Sequence, residues 1–244
     1  MAPMIARRTF LASLAAAVSA PLGAEEPPID PQVLGALRVV EDADGFSNLR
    51  AGPSNDSKVL GRVPSGGVLA VDESSKSDWA RAILETPDLA VYIHGSRLRR
   101  LEKWRVVRAG KAKPDTSARL ISAGFEVSVS AAPFRAEKHV LTRNRDGMVR
   151  VDGRLPWGQD GGLPRNDLVL TVTRNGTAVK LPPEAVANLY EPSPGTLTLL
   201  APASGGTHAH ALFLMENGDG AGGYCVVWAF KDGRYLNRAV FNPY

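Results

Sequence analysis

The chain has a single cysteine, Cys225. A lone thiol closes no internal disulfide, so the fold must stand on packing alone. In Tyr224-Cys225-Val226-Val227-Trp228 it sits within an apolar run and reads as a small buried side chain. Charge of one sign is also scarce. The formal net charge is +4, and removing residues 1–24, which carry Arg7 and Arg8 and no acid, leaves 27 bases against 25 acids. So even a balance makes no electrostatic case for a nucleic-acid partner. Arg97-Leu98-Arg99-Arg100 is the one basic cluster and reads as a solvated strand end. Beyond the N-terminus no stretch reaches ~18 uninterrupted apolar residues, the length a spanning helix needs.

The signatures of common chemistries are missing as well. There is no G-x-S-x-G elbow for a serine nucleophile. No Gly-Lys-Ser/Thr follows either Gly-rich stretch, so neither is a phosphate loop. Glu41-Asp42-Ala43-Asp44-Gly45 hints at a calcium loop, but Ala51 stands where the bidentate Glu belongs. His208-Ala209-His210 sets two imidazoles on one strand face; zinc needs a third ligand, and only His94 and His139 remain. The expectation is a non-enzymatic protein without metal or cofactor.

What is abundant is glycine and proline, 24 and 18 residues. That favours short strands and turns over long helices. With 44% hydrophobic and 22% charged residues the body is globular, and 244 residues suffice for two modest domains. The expected class is all-β.

Residues 1–24 read as an export signal. Arg7-Arg8 precede an apolar run, residues 10–18, too short to span a bilayer, and Leu22-Gly23-Ala24 before Glu25 supplies a cleavage point. Arg7-Arg8-Thr9-Phe10-Leu11 resembles a twin-arginine signal, with a general secretory signal as the alternative. The expected location is the periplasm or outside the cell, with no membrane contact after cleavage. Residues 25–32 read as a linker, because Pro27, Pro28 and Pro31 oppose helix and central strand.

Residues 33–102 form the first expected domain. Strands are expected over 37–40, 46–50, 58–63, 68–72, 79–83 and 91–93, with turns at Asp44-Gly45 and Gly52-Pro53-Ser54. Leu49, Val59, Leu60, Val63, Val68 and Ile83 are the expected core. Six such residues give ~70 residues only marginal stability.

This domain resembles the bacterial SH3-like (SH3b) family over roughly residues 36–102. The family signature Gly-x-x-Asn-Leu/Val-Arg-x-Gly-Pro-Ser is met by Gly45-Phe46-Ser47-Asn48-Leu49-Arg50-Ala51-Gly52-Pro53-Ser54. Asp78-Trp79-Ala80-Arg81-Ala82 is similar to its Trp-x-Lys-Val strand, and Val91-Tyr92-Ile93-His94-Gly95-Ser96-Arg97-Leu98 to its closing segment. Val91 replaces the usual Gly there, and residues 85–89 are longer than usual. The resemblance implies a small barrel that binds cell-wall peptide or glycan, or an envelope protein. Phe46, Asn48, Arg50, Trp79, Tyr92 and His94 are the candidate ligand-binding face.

Residues 103–244 are expected to form a β-sandwich with one short helix over 182–190. Strands are expected at 125–130, 148–152, 168–174, 177–181, 197–200, 209–215, 224–231 and 235–241, and residues 118–123 fit strand or half-helix. Asn175-Gly176 and Asp232-Gly233 fit two-residue hairpin turns. The likeness of this half to secreted bacterial domains of unknown function is loose. Its Gly-rich loops, residues 157–162 and 217–223, hold Trp157, Asp160 and Asp219. A glycan or cell-wall hydrolase using those acids is the alternative function, and it requires the loops to meet. The protein is expected to be a monomer.

Overall fold

The structure, a computed structural model, describes residues 29–72, 78–85, 89–109, 116–122, 124–203, 210–218 and 222–243. The candidate Asp219, His208 and the export segment lie outside them. Leu37–Val40 (β1), Phe46–Arg50 (β2), Val59–Pro64 (β3), Val68–Asp72 (β4), Trp79–Ile83 (β5), Val91–His94 (β6) and Leu98–Arg99 (β7) form one sheet in the order β3-β2-β6-β5-β4-β1-β7. Trp104–Arg108 (β8), Ser117–Ser122 (β9), Phe125–Pro133 (β10), Leu141–Arg143 (β11), Val149–Val151 (β12), Asn166–Arg174 (β13), Thr177–Ala178 (β14), Thr198–Pro202 (β15), His210–Asn217 (β16), Tyr224–Lys231 (β17) and Arg234–Phe241 (β18) follow. They make a five-stranded sheet, β18-β17-β16-β15-β8, a four-stranded sheet, β14-β13-β10-β9, and the pair β11-β12. Every strand pairing is antiparallel. The protein is all-β, as its turn-rich composition implies.

Three layers result, and the five-stranded sheet is the middle one. β17 shows why. Side chains alternate across a strand. Tyr224, Val226, Trp228 and Phe230 therefore enter one core with Phe125, Val127, Val129, Leu168, Leu170 and Val172 of the four-stranded sheet. Cys225, Val227 and Ala229 enter a second core with Val33, Leu37, Val39, Val68 and Ala70 of the N-terminal region. Both faces are covered, so the strand is buried from Tyr224 to Phe230. Burial also lifts the Cys225 thiol to about 12 and leaves it un-ionised at neutral pH.

Polar groups fix how the first two layers meet. Asn237 on β18 presents its side-chain amide to the backbone of Val68: Oδ1 accepts from Val68 N–H at 2.9 Å and Nδ2 donates to Val68 O at 2.7 Å. This is strand pairing performed by one side chain. Gly67 must lack a Cβ there, since one would sit 2.8 Å from Asn237 Oδ1 and 2.7 Å from Val63 Cγ1. Arg238 donates Nε and Nη2 to the two carboxylate oxygens of Glu85 at 2.9 and 2.8 Å. His210 Nε2 lies 2.7 Å from Gly66 O, with its ring edge-on to Trp104.

Several expectations are corrected. Of the six expected barrel-core residues, Val63 and Val68 are buried and Leu49 is half-buried, but Val59 (41% exposed), Leu60 (39%) and Ile83 (36%) are not core. β3 is an edge strand paired only with β2, and on β5 it is small Ala82 that turns inward, leaving its neighbour Ile83 outside. The barrel core is instead Val40, Val63, Leu69, Val71 and Ile93. Val68 faces the middle sheet. Within the stretch expected to be linker, Ile29 is buried, and the helix Pro31–Ala36 (α1) begins at Pro31. Proline fits a helix's first position, where its missing N–H has no partner to lose. The Asp30 carboxylate caps the start by accepting from Gln32 N–H at 2.7 Å. The helix expected over 182–190 shrinks to a single 3₁₀ turn, Pro183–Ala185. Val186 leaves helical geometry and Asn188 takes φ +63°, which ends it. Residues 118–123 resolve as strand up to Ser122.

Both expected two-residue turns form. Asn175 and Gly176 have φ of 49° and 81°, and Asp232 and Gly233 of 52° and 76°. Positive φ at both central residues is the type I′ requirement.

Candidate functional site

The barrel opens in a cleft of about 340 Å³, lined by residues that all fall between Asp42 and Arg97. Phe46, Asn48, Arg50, Trp79 and His94 line it. Tyr92 does not; it stands half-buried on β6, in register with Arg50 and Arg81. The first two β2 residues follow from the turn before them. Gly45 takes φ +81° and starts the strand, and pleating then puts Phe46 and Asn48 on one face while Ser47 turns inward.

Each wall is braced. Arg62 lays its guanidinium 4.3 Å from the Phe46 ring centre and donates Nε to Asn48 Oδ1 at 3.3 Å. Arg50 donates to Ser57 O at 2.8 Å, tying the strand to the loop that follows. The Trp79 ring meets His94 edge-on, centres 5.1 Å apart. His94 Nδ1 accepts from Ser96 N–H at 3.3 Å and lies 2.8 Å from Ser96 Oγ. Nδ1 is thus the acceptor, and the neutral ring keeps its proton on Nε2.

Asp42 anchors the opposite wall. It accepts from Ser47 Oγ at 2.6 Å and from Asp44 N–H at 3.0 Å, with Arg97 at 3.4 Å. The Ser47 hydroxyl first, then the Asp44 amide and Arg97, hold its carboxyl below the usual carboxylate range. Asp42, Asp44, Arg62, Ser96 and Arg97 were not assigned to this face from sequence. The signal for Asp42 lay in Asp42-Ala43-Asp44-Gly45, where an aspartate folds back on its own backbone at a turn. The cleft therefore offers two partly open rings, an amide, and fixed charges of both signs.

The Gly-rich loops of the second domain do meet. Gly158 N–H donates to Gly222 O at 3.1 Å, and a Cβ on Gly222 would lie 2.6 Å from Asp160 Oδ1. Gly158 holds φ +93° in a slot walled by Tyr190 and Tyr224. Trp157, expected as a stacking platform, is half-buried against the core, its ring 6.0 Å from that of Tyr224. Asp160 is exposed. Much of what brings these loops together is packing. Among the described residues no group of three or more His, Cys, Asp or Glu is arranged to hold a metal ion. His210 is spent on Gly66 O and Trp104 at the junction of the layers.

No curated protein and no solved structure matches the chain in comparison. The family model of the bacterial SH3 domain matches residues 45–98, which span the cleft from Phe46 to Arg97. The first layer of this protein carries a bacterial SH3 domain.

Proposed function

We propose that the protein is an exported, non-enzymatic envelope protein whose SH3 barrel binds cell-wall peptide or glycan, or an envelope protein. The observation that carries this reading is convergence. Five of the six residues picked from three sequence segments, Phe46, Asn48, Arg50, Trp79 and His94, line one cleft built by the barrel alone. The Phe46 and Trp79 rings suit the apolar faces of sugars or side chains. Asn48, His94 and the arginines suit amide and carboxylate groups of a peptide. The export signal read from Arg7-Arg8 and the apolar run after it places such a ligand within reach.

The test is co-sedimentation of the mature protein with purified sacculi, with Trp79→Ala as the partner measurement. Loss of about 1–3 kcal/mol of binding, tenfold or more in affinity, is expected for removal of a ring from the site. Retention unchanged by Trp79→Ala removes the cleft from the account. The hydrolase reading is favoured by one observation, the contact between the loops at Gly158 and Gly222. It predicts release of soluble fragments from sacculi that Asp160→Asn abolishes; the binding reading predicts none.

A further inference from the structure

A second cleft, of about 440 Å³, lies in the C-terminal half between the β12 turn, β13 and residues 183–190. The sequence reading gave it no role. Its polar lining is His139, Asp152, Arg154, Asp167, Glu184, Asn188 and Tyr190, and Val151, Leu168, Val186 and Leu189 supply apolar wall.

Some of these groups are already spoken for. Asp152 Oδ2 lies 2.8 Å from His139 Nδ1, and its Oδ1 accepts from Val140 N–H at 2.9 Å. The His139 ring stacks on Phe134, centres 4.9 Å apart and planes 14° apart. Asn188 donates Nδ2 to Leu155 O at 2.9 Å.

Others are not. Asp167 is half-buried and receives no hydrogen bond from the described residues. Burial raises its pKa, against the nearby positive ends of His139 and Lys138. Asn188 Oδ1 is buried with no hydrogen-bond partner. Arg154 is exposed and makes no ion pair among the described residues. The Asp167 carboxylate and the Arg154 guanidinium thus line the same space without partners among the described residues, as does the exposed Glu184. A half-buried carboxylate without donors is poorly solvated, so a ligand that brings donors stabilises it.

We propose that this cleft binds a small zwitterion of the amino-acid type, its ammonium against Asp167, its carboxylate on Arg154, and its carbon chain along Leu168, Val186 and Leu189. An ammonium has three donors and no acceptor, which suits the carboxylate of Asp167. A guanidinium fork suits a carboxylate. The volume falls within the range of small-ligand pockets. The site is independent of the barrel cleft, and Trp79→Ala leaves it intact.

The test is an NMR titration of the full mature chain with L-norleucine, pentylamine and hexanoate, followed at His139 and Asn188. Saturable shifts are expected with norleucine, and each half-ligand should bind about tenfold or more weakly, as losing one ionic contact implies. Asp167→Asn should weaken norleucine and pentylamine alike; Arg154→Gln should weaken norleucine and hexanoate and leave pentylamine unchanged. Binding should also fall with pH as Asp167 takes up its proton. Folding is checked in the same samples: Asp167→Asn should melt no lower than the parent, since it removes a carboxylate that burial penalises. No saturable shift with norleucine, or an Asp167→Asn variant that binds it as the parent does, overturns the proposal.

Discussion

The two faces of the five-stranded sheet are made from the same strands and built differently. Toward the four-stranded sheet they carry Phe213, Tyr224, Trp228 and Phe230; Phe213 meets Phe125 and Phe230 edge-on at centre distances of 5.8 and 5.6 Å, and Phe230 lies tilted to Phe125 at 5.9 Å. Toward the SH3 barrel they carry mainly Leu200, Leu212, Leu214, Cys225, Val227, Ala229 and Ala239, with the rings of Phe241 and half-buried Trp104. The first face is a domain core, where large rings fill volume. The second is a joint between domains. Aliphatic side chains dominate there, and Asn237 reaches the Val68 backbone. Bulk provides the stability of one face; register, set by polar contacts, provides that of the other.

The sharpest way to break this contrast is on the aromatic face. Trp228 is fully buried and donates Nε1 to Ala185 O at 2.7 Å. Trp228→Ala should cost about 3–5 kcal/mol in urea unfolding and should lower the stability of the whole chain. On the joint, Asn237→Ala leaves Val68 N–H and C=O without partners and should cost about 1–3 kcal/mol. Hydrogen exchange tells the faces apart: Asn237→Ala should speed exchange in β1 and β4 and leave β10 and β13 protected. Equal loss across all three layers would mean the joint is no separate unit.

Acid should loosen the joint next. Burial first, and then Lys231, hold His210 below the ordinary imidazole range, against the Gly66 carbonyl and Asp232. The unfolded ring takes up its proton near 6.5, while the folded ring resists until lower pH. The unfolded state then binds more protons within that window, so stability falls as pH drops below about 6.5. Unfolding free energies compared at pH 7.5 and 5.5 should show this fall, and His210→Gln should flatten it. The smallest effect is expected off both faces. Val59→Thr and Leu60→Thr, on the exposed edge strand, should change stability by no more than about 0.5 kcal/mol.

Strands with one wet face were legible in the sequence. Phe125-Glu126-Val127-Ser128-Val129-Ser130 alternates, and its burial alternates with it. The type I′ turns were legible because Asn175-Gly176 and Asp232-Gly233 are what positive φ selects. The unbroken apolar run from Tyr224 to Phe230 marked a strand with no wet side, yet it carries no sign of which element covers each face. The same gap misplaced Val59, Leu60 and Ile83, because apolar composition does not reveal which strand lies at a sheet edge. The aromatic and amide residues of the barrel cleft stood out through the resemblance to the SH3b family. Asp42, Arg62 and Arg97 did not, because chain folding, not a motif, gathers them. The second cleft was silent for that reason too: His139, Arg154, Asp167 and Asn188 come from four stretches with no common pattern.

The Asn237–Val68 pairing and the apolar seam around it have a mechanical meaning. A tension applied to anything held in the barrel cleft does not run down a single tether into the rest of the chain. It is shared across a whole sheet face as shear, with the Glu85–Arg238 fork pulling alongside. The module is mounted like a bracket on a plate and keeps one bearing under load.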